Sequence, residues 1–169
     1  MVHIYYGYGK GKTTAAMGLA LRAVGQGLRV TIAQFLKDGK SGEIEPLKKL
    51  GANIICDTQP MPFTWQMSEE EKVDINKRMQ SVFAKAMQST GQSDLIILDE
   101  ILCVMQLGIV SSDEIVKFLQ STKKEVVLTG SVSEKDIVPL VDFADYVSEI
   151  KKCKHPYDKG MLARVGIEY

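Results

Sequence analysis

"YYGYGKGKTT", residues 5–14, decides how the rest of the chain is read. Gly11-Lys12-Thr13 forms the second half of a G-x-x-x-x-G-K-[ST] phosphate loop. The first glycine of that pattern belongs at position 6, where the chain has Tyr6; the nearest glycines are Gly7 and Gly9. A loop that wraps phosphate needs inward backbone N–H groups, a cation and a hydroxyl for magnesium. Gly7, Gly9 and Gly11 permit positive φ and close approach of the backbone to phosphate. Lys12 offers a point charge to the outer phosphates, and Lys10 adds a second positive charge. Thr13 sets a hydroxyl on the first turn of a helix, whose N-terminus itself favours an anion. The competing reading is a glycine-rich turn whose lysines face solvent. The flanks argue against it, because residues 3–6 read as a strand and residues 13–25 as an amphipathic helix. In that helix Ala16, Leu19, Ala20, Ala23 and Val24 form one stripe at i, i+3, i+4, i+7 and i+8.

Beyond the loop, strands and helices take turns. Residues 28–35 and 53–56 read as strands. Ser68-Glu69-Glu70-Glu71 opens a helix as a capping box, and its acids suit the positive helix end. That helix should run to about residue 90, carrying Val73, Met79, Val82, Phe83, Ala86 and Met87. Residues 95–98 are continuously apolar, as in a strand covered on both faces of a parallel sheet. A helix from Ser111 or Ser112, a strand over 125–129, a helix over 133–141 and a strand over 146–150 complete the order. This alternation predicts an α/β fold with a mainly parallel sheet, as one domain spanning residues 1–169. Residues 36–52, 57–67 and the tail after Lys151 read as irregular. The first two follow strands at the sheet edge where ligands collect, so they are expected to touch substrate.

The chain has 169 residues, with 21 basic balancing 21 acidic, so its overall charge does not point to nucleic acid or a membrane surface as partner. Cys56, Cys103 and Cys153 are scattered and form no C-x-x-C pair, as in a reducing compartment. Neither a signal peptide nor a long apolar span is evident. A cytoplasmic protein is expected.

Leu98-Asp99-Glu100 supplies the acids that a magnesium-assisted triphosphate site needs at a strand end. An ordinary helix N-cap is the alternative for that pair. No N-K-x-D follows, since Asn76-Lys77 continues as Arg78-Met79, which disfavours a guanine-reading switch protein. The loop alone does not choose among the remaining phosphate-loop proteins.

Several stretches, in order, resemble one family. They are Gly7-Tyr8-Gly9-Lys10-Gly11-Lys12-Thr13-Thr14-Ala15-Ala16, Gln34-Phe35-Leu36-Lys37, Phe63-Thr64-Trp65, Leu98-Asp99-Glu100, Leu128-Thr129-Gly130, and Lys154-His155-Pro156-Tyr157 with Gly166-Ile167-Glu168-Tyr169. Over nearly its whole length the chain is similar to the ATP:corrinoid adenosyltransferases of the phosphate-loop type. The shortened G-x-G-K-G-K-T-T loop is usual there, with threonine more familiar than tyrosine at position 6. The resemblance implies a three-layer P-loop NTPase-like fold. It also implies transfer of the 5′-deoxyadenosyl group of ATP to the Co(I) centre of a corrinoid, with release of triphosphate, in cobalamin biosynthesis or salvage.

The residue roles follow from the same resemblance. ATP is held by Gly7, Tyr8, Gly9, Lys10, Gly11, Lys12, Thr13 and Thr14, in a reversed orientation that turns C5′ toward the corrinoid. Lys12, Thr13 and Glu100 are the catalytic set, and Thr13, Glu100 and Asp99 the magnesium set. Phe63 and Trp65 become corrinoid contacts, a wedge that excludes the lower axial ligand; from the residues alone, such a pair reads as core or lid packing. A homodimer and an electron donor for Co(II) are also implied. Ser131 stands where the family often has arginine, so, if that arginine neutralises triphosphate, either weaker binding or a shift of the role to Lys37 or Lys40 is expected. The chain opens at its first strand, without the extension that some members fold over the corrinoid, so a more open site or a different corrinoid is expected. His3 and His155 are expected to be structural or hydrogen-bonding. A hydrolytic ATPase and a non-catalytic carrier of ATP or corrinoid are the rival functions.

Overall fold

The computed structural model describes residues 1–59 and 68–168. Phe63 and Trp65, and with them the corrinoid-wedge expectation, lie outside the described residues, as does Tyr169. The strands are β1 (Val2–Tyr6), β2 (Val30–Gln34), β3 (Asn53–Cys56), β4 (Leu95–Asp99), β5 (Glu125–Gly130) and β6 (Tyr146–Glu149). The helices are α1 (Lys12–Gly25), α2 (Ile44–Lys49), α3 (Glu69–Gln88), α4 (Ile101–Gln106), α5 (Ser112–Ser121) and α6 (Glu134–Val141). The six strands form one sheet in the order β3-β2-β4-β5-β1-β6, with every pair parallel.

The expected α/β fold with a parallel sheet and flanking helices is what the chain forms. Every residue of β2 and β4 is buried, as continuous apolar runs in a doubly covered sheet require. Alternate side chains part to opposite faces. Ile96 and Leu98 join a core with α3, α4, α5 and α6, while Leu95 and Ile97 join another with α1 and Leu47 of α2. Three layers result.

Two helices appear that the sequence reading did not assign, α2 within the stretch 36–52 expected to be irregular and α4 in a segment given no element. In α2, the short apolar pair Ile44 and Leu47 is buried, and Pro46 sits in the first turn, where its missing N–H costs nothing. In α4, Ile101, Leu102 and Val104 are buried immediately after the strand, so strand and helix merge into one apolar run. The stripe of α1 is also rotated from the expectation: Met17 is buried with Ala16, Ala20 and Ala23, whereas Leu19 and Val24 are only partly covered. In α3, Ile75 is buried, and Val73 and Met87 face out.

Because all strands run the same way, their C-terminal ends share one edge. The loops after β1, β2, β4, β5 and β6 converge there. His3 lies at the opposite end, hydrogen-bonded to Glu125 at 2.6 Å and stacked on Tyr146, the structural role expected for it.

Candidate phosphate-binding site

The loop of residues 7–11 leads from β1 into α1. Gly11 caps the helix at φ 125°, a conformation that a side chain would strain, and places no acceptor over the first N–H groups. The contrast with α3 and α5 is direct. There Ser68 and Ser111 accept from the N3 backbone, and Glu71 and Glu114 complete the boxes. The N–H groups that open α1 are left for an outside anion.

Gly9 is a glycine for a different reason than expected. Its φ is not positive; a Cβ there would stand 2.6 Å from the Ile150 carbonyl oxygen and 2.7 Å from the Lys151 backbone. The Gly9 N–H donates to that same Ile150 oxygen at 2.7 Å. The chain leaving β6 thus braces the loop from below.

Lys12 is buried, with 7% of its surface exposed. Its only hydrogen bond among the described residues runs to the Gly9 carbonyl oxygen, at 2.8 Å. Burial pushes its pKa below the usual lysine value, against the pull of Glu100, Cys103 and Asp99. A buried cation whose partner is a neutral carbonyl is short of negative charge.

Asp99, at the end of β4 and fully buried, is the hub of the site. Its Oδ1 accepts from the Thr13 hydroxyl at 2.9 Å and the Thr129 hydroxyl at 2.8 Å. Its Oδ2 accepts from Lys37 Nζ at 2.7 Å and, at 3.4 Å, from Gln34 Nε2. Strand β5 lies between β4 and β1, which is why Thr129 can tie the acid to the loop. Lys37 is the cation sequence reasoning proposed as a stand-in for arginine, and it does reach the site. Burial works against its charge, but the Asp99 carboxylate wins and raises its pKa above the usual lysine value. Lys40 instead pairs with Asp38 at the surface, at 2.8 Å.

Glu100 follows Asp99 with φ 68°, one of two non-glycine residues in left-handed backbone among the described residues; the other is Leu36, directly before Lys37. Such conformations cost about 1–3 kcal/mol each and persist where the surroundings hold them. The Glu100 N–H donates to Thr129 Oγ1 at 2.9 Å. Its carboxylate accepts from the Cys103 thiol at 2.9 Å, and Cys103 Sγ in turn accepts from the Ser131 N–H at 3.1 Å. Burial, and then the charge of Glu100, push the Cys103 thiol up to about 12. Neither Cys103 nor Ser131 gave a signal in the sequence for this supporting role.

Two adjoining clefts open here. The smaller, about 300 Å³, is lined by Tyr8 to Thr14, Glu100, Ser131 and His155, with Ile167 and Glu168 from the tail. It gathers Tyr8, Gly9, Lys10, Gly11, Lys12, Thr13, Thr14 and Glu100 of the expected set; Gly7 lies beneath, packed on Ile150. The larger, about 950 Å³, lies over Met17, Leu21, Leu36, Lys37, Pro46 and Leu50, and shares Thr13 and Thr14 with the first. Residues 36–50 therefore contribute a cleft wall, as placed at the substrate edge. His155 accepts from the Tyr157 N–H at 3.2 Å, a turn-capping bond.

Described residues 57, 59 and 68 are each held by hydrogen bonds. Arg78 of α3 binds Asp57 and, at 3.2 Å, the Gln59 carbonyl oxygen. Ser68 is fixed by its box with Glu71. Among the described residues no helix is long and apolar enough to cross a membrane.

Comparison with known proteins identifies the family. The family model described as "ATP:corrinoid adenosyltransferase BtuR/CobO/CobP" matches residues 1–169. The corrinoid adenosyltransferase of Escherichia coli (strain K12) is 34% identical over 172 residues, spanning 100% of this chain and 85% of that protein. Corrinoid adenosyltransferase CobA of Salmonella typhimurium is 32% identical with the same coverage. That of a Sinorhizobium species is 29% identical over 175 residues, spanning 100% of this chain and 80% of the relative. The chain belongs to the ATP:corrinoid adenosyltransferase family.

Proposed function

We propose that this chain, acting as one nucleotide-binding domain, carries out its family's reaction at the clefts over α1. The 5′-deoxyadenosyl group passes from ATP to the Co(I) centre of a corrinoid, and triphosphate leaves. The observation that carries the reading is the buried ammonium of Lys12, short of negative charge at a helix N-terminus left uncapped. A polyphosphate supplies what both lack.

In this reaction the electron pair of Co(I), on the corrinoid substrate, forms the Co–C5′ bond. The C5′–O bond breaks, and its pair goes to the departing triphosphate. The nucleophile comes with the substrate, so the protein needs none. Cys103 fits that division: its thiol, held near pKa 12 and donating to Glu100, is a support and not an attacking group. What remains is to place C5′ in line with cobalt and to stabilise charge gathering on the leaving group. Lys12 and the loop N–H groups serve the second task.

The residues also fit a magnesium ion. Thr13 gives its hydroxyl proton to Asp99, which leaves oxygen lone pairs for a cation, while Glu100 lines the same cleft. No group of three or more His, Cys, Asp or Glu able to hold a metal occurs among the described residues, which suits an ion that arrives with the phosphates and keeps several waters. Bound there, magnesium would neutralise phosphate charge. Asp99, with both oxygens already engaged, is better suited to orient Thr13 than to touch the ion.

Phe63 and Trp65 are assigned to the corrinoid by the resemblance of their motif. A cytoplasmic homodimer and an electron donor for Co(II) complete the reading on the same ground. The test mixes protein, ATP, magnesium and chemically reduced cobalamin or cobinamide, following the cobalt–carbon spectrum and the phosphate product. Equal yields of adenosylated corrinoid and triphosphate support the proposal. Orthophosphate released without corrinoid would make the chain a hydrolase, and binding without turnover a carrier. Lys12→Ala should cut transfer by about 10²-fold or more, as loss of a group that stabilises developing charge does.

A further inference from the structure

Lys37 stands where a metal-bound triphosphate would compete with it. Its ammonium lies 2.7 Å from Asp99 Oδ2 and 3.3 Å from Thr13 Oγ1. Since Thr13 gives its proton to Asp99, the contact with Lys37 uses a lone pair on the hydroxyl oxygen. A divalent cation on the remaining lone pair would sit on the same oxygen as the ammonium. An ammonium and a divalent ion cannot share one oxygen beside the buried Asp99 without like-charge repulsion.

The surroundings give Lys37 another place to go. Its side chain is 25% exposed and lines the larger cleft, which shares Thr13 and Thr14 with the phosphate cleft. The left-handed Leu36, held by a bond from its N–H to Met79 Sδ at 3.3 Å, sets the residue at the junction. A lysine is a point charge on a flexible four-carbon stem, suited to change partners without moving the backbone.

We infer that Lys37 is a triphosphate-binding cation held in reserve by Asp99. Without ligand, its ammonium fills the position between Asp99 and the Thr13 hydroxyl. When magnesium and the phosphate tail arrive, the ammonium gives up that position and moves onto the outer phosphate oxygens. This rests on the phosphate-loop reading above and adds to it a second cation and an exchange of occupants. The exchange keeps Asp99 compensated in both states, and adds positive charge to the leaving group only when the metal is in place.

Titration calorimetry with inorganic triphosphate, with and without magnesium, tests it on the full chain. Folding of each variant is checked by circular dichroism. Lys37→Met should bind triphosphate about tenfold or more weakly with magnesium, the size of a lost charge-assisted hydrogen bond, yet within about threefold of wild type without it. Lys37→Gln, whose amide still donates to Asp99, gives the same pattern and serves if Lys37→Met does not fold. Wild-type affinity with magnesium, or an equal loss with and without it, overturns the exchange. Lys12→Ala separates the two claims. If it binds triphosphate normally, the phosphate-loop reading falls and the exchange with it; if it loses binding while Lys37→Met does not, only the exchange falls.

Discussion

Asp99→Asn changes one atom at the hub of the site, and the structure says what it should cost. The carboxylate accepts from two hydroxyls on Oδ1 and from Lys37 and Gln34 on Oδ2. An amide keeps only one of those oxygens. If its NH₂ faces the Oδ2 side, it points a donor at the Lys37 ammonium, which cannot accept; Gln34 can accept only by turning its Oε1, unpartnered among the described residues, inward, which gives up its 3.4 Å bond to Glu43. If it faces the Oδ1 side, the Thr13 and Thr129 hydroxyls must turn away, and Thr129 also holds the Glu100 N–H. Breaking a fully buried ion pair costs about 3–5 kcal/mol, and a quarter-exposed Lys37 that can turn to solvent lowers this to about 2–4 kcal/mol. For a chain of this size that corresponds to a Tm lower by about 5–10 °C. Urea and thermal unfolding followed by far-ultraviolet circular dichroism measure both. A variant within about 0.5 kcal/mol of wild type would mean that the hub carries no such load, and the placement of Lys37 would be wrong.

Gly9→Ala sets a methyl group against the Ile150 and Lys151 backbone; unfolding should show about 1–3 kcal/mol of destabilisation, with ATP binding weakened at least about tenfold. Trp65→Ala should slow reduction of bound Co(II) while leaving ATP affinity within about twofold, as read by the cob(I) spectrum and calorimetry; the reverse pattern would move that segment to the nucleotide. Iodoacetamide at pH 8.5 should modify exposed Cys153 quickly and spare Cys103, whose raised pKa keeps it a thiol, and peptide mass mapping reads the order.

Much of this was legible in the chain itself. Residues 95–98 announced a doubly buried strand, and Ser68 with Glu71 announced the start of α3, because each signal is local and strong. The loop announced its place between strand and helix through Gly11, Lys12 and Thr13. Short helices were harder: α2 and α4 have six residues each, too few for a stripe to show period. In α3 Ile75, not Val73, is covered because it shares the i, i+4, i+7, i+8 stripe of Met79, Val82 and Phe83, whereas Val73, two positions away, points to the other side. The reason for Gly9 and the bond between Lys37 and Asp99 were not written locally at all. One depends on the chain leaving β6, more than 140 positions later, and the other on a strand pairing that brings residues 37 and 99 together.

The most direct measurement is the structure of the chain crystallised with ATP and magnesium. Phosphates seated on the N–H groups of residues 10–13, with Lys12 Nζ moved from the Gly9 carbonyl onto a phosphate oxygen, are what this account predicts. A nucleotide bound elsewhere, with Lys12 still on Gly9 and the loop empty, would contradict it.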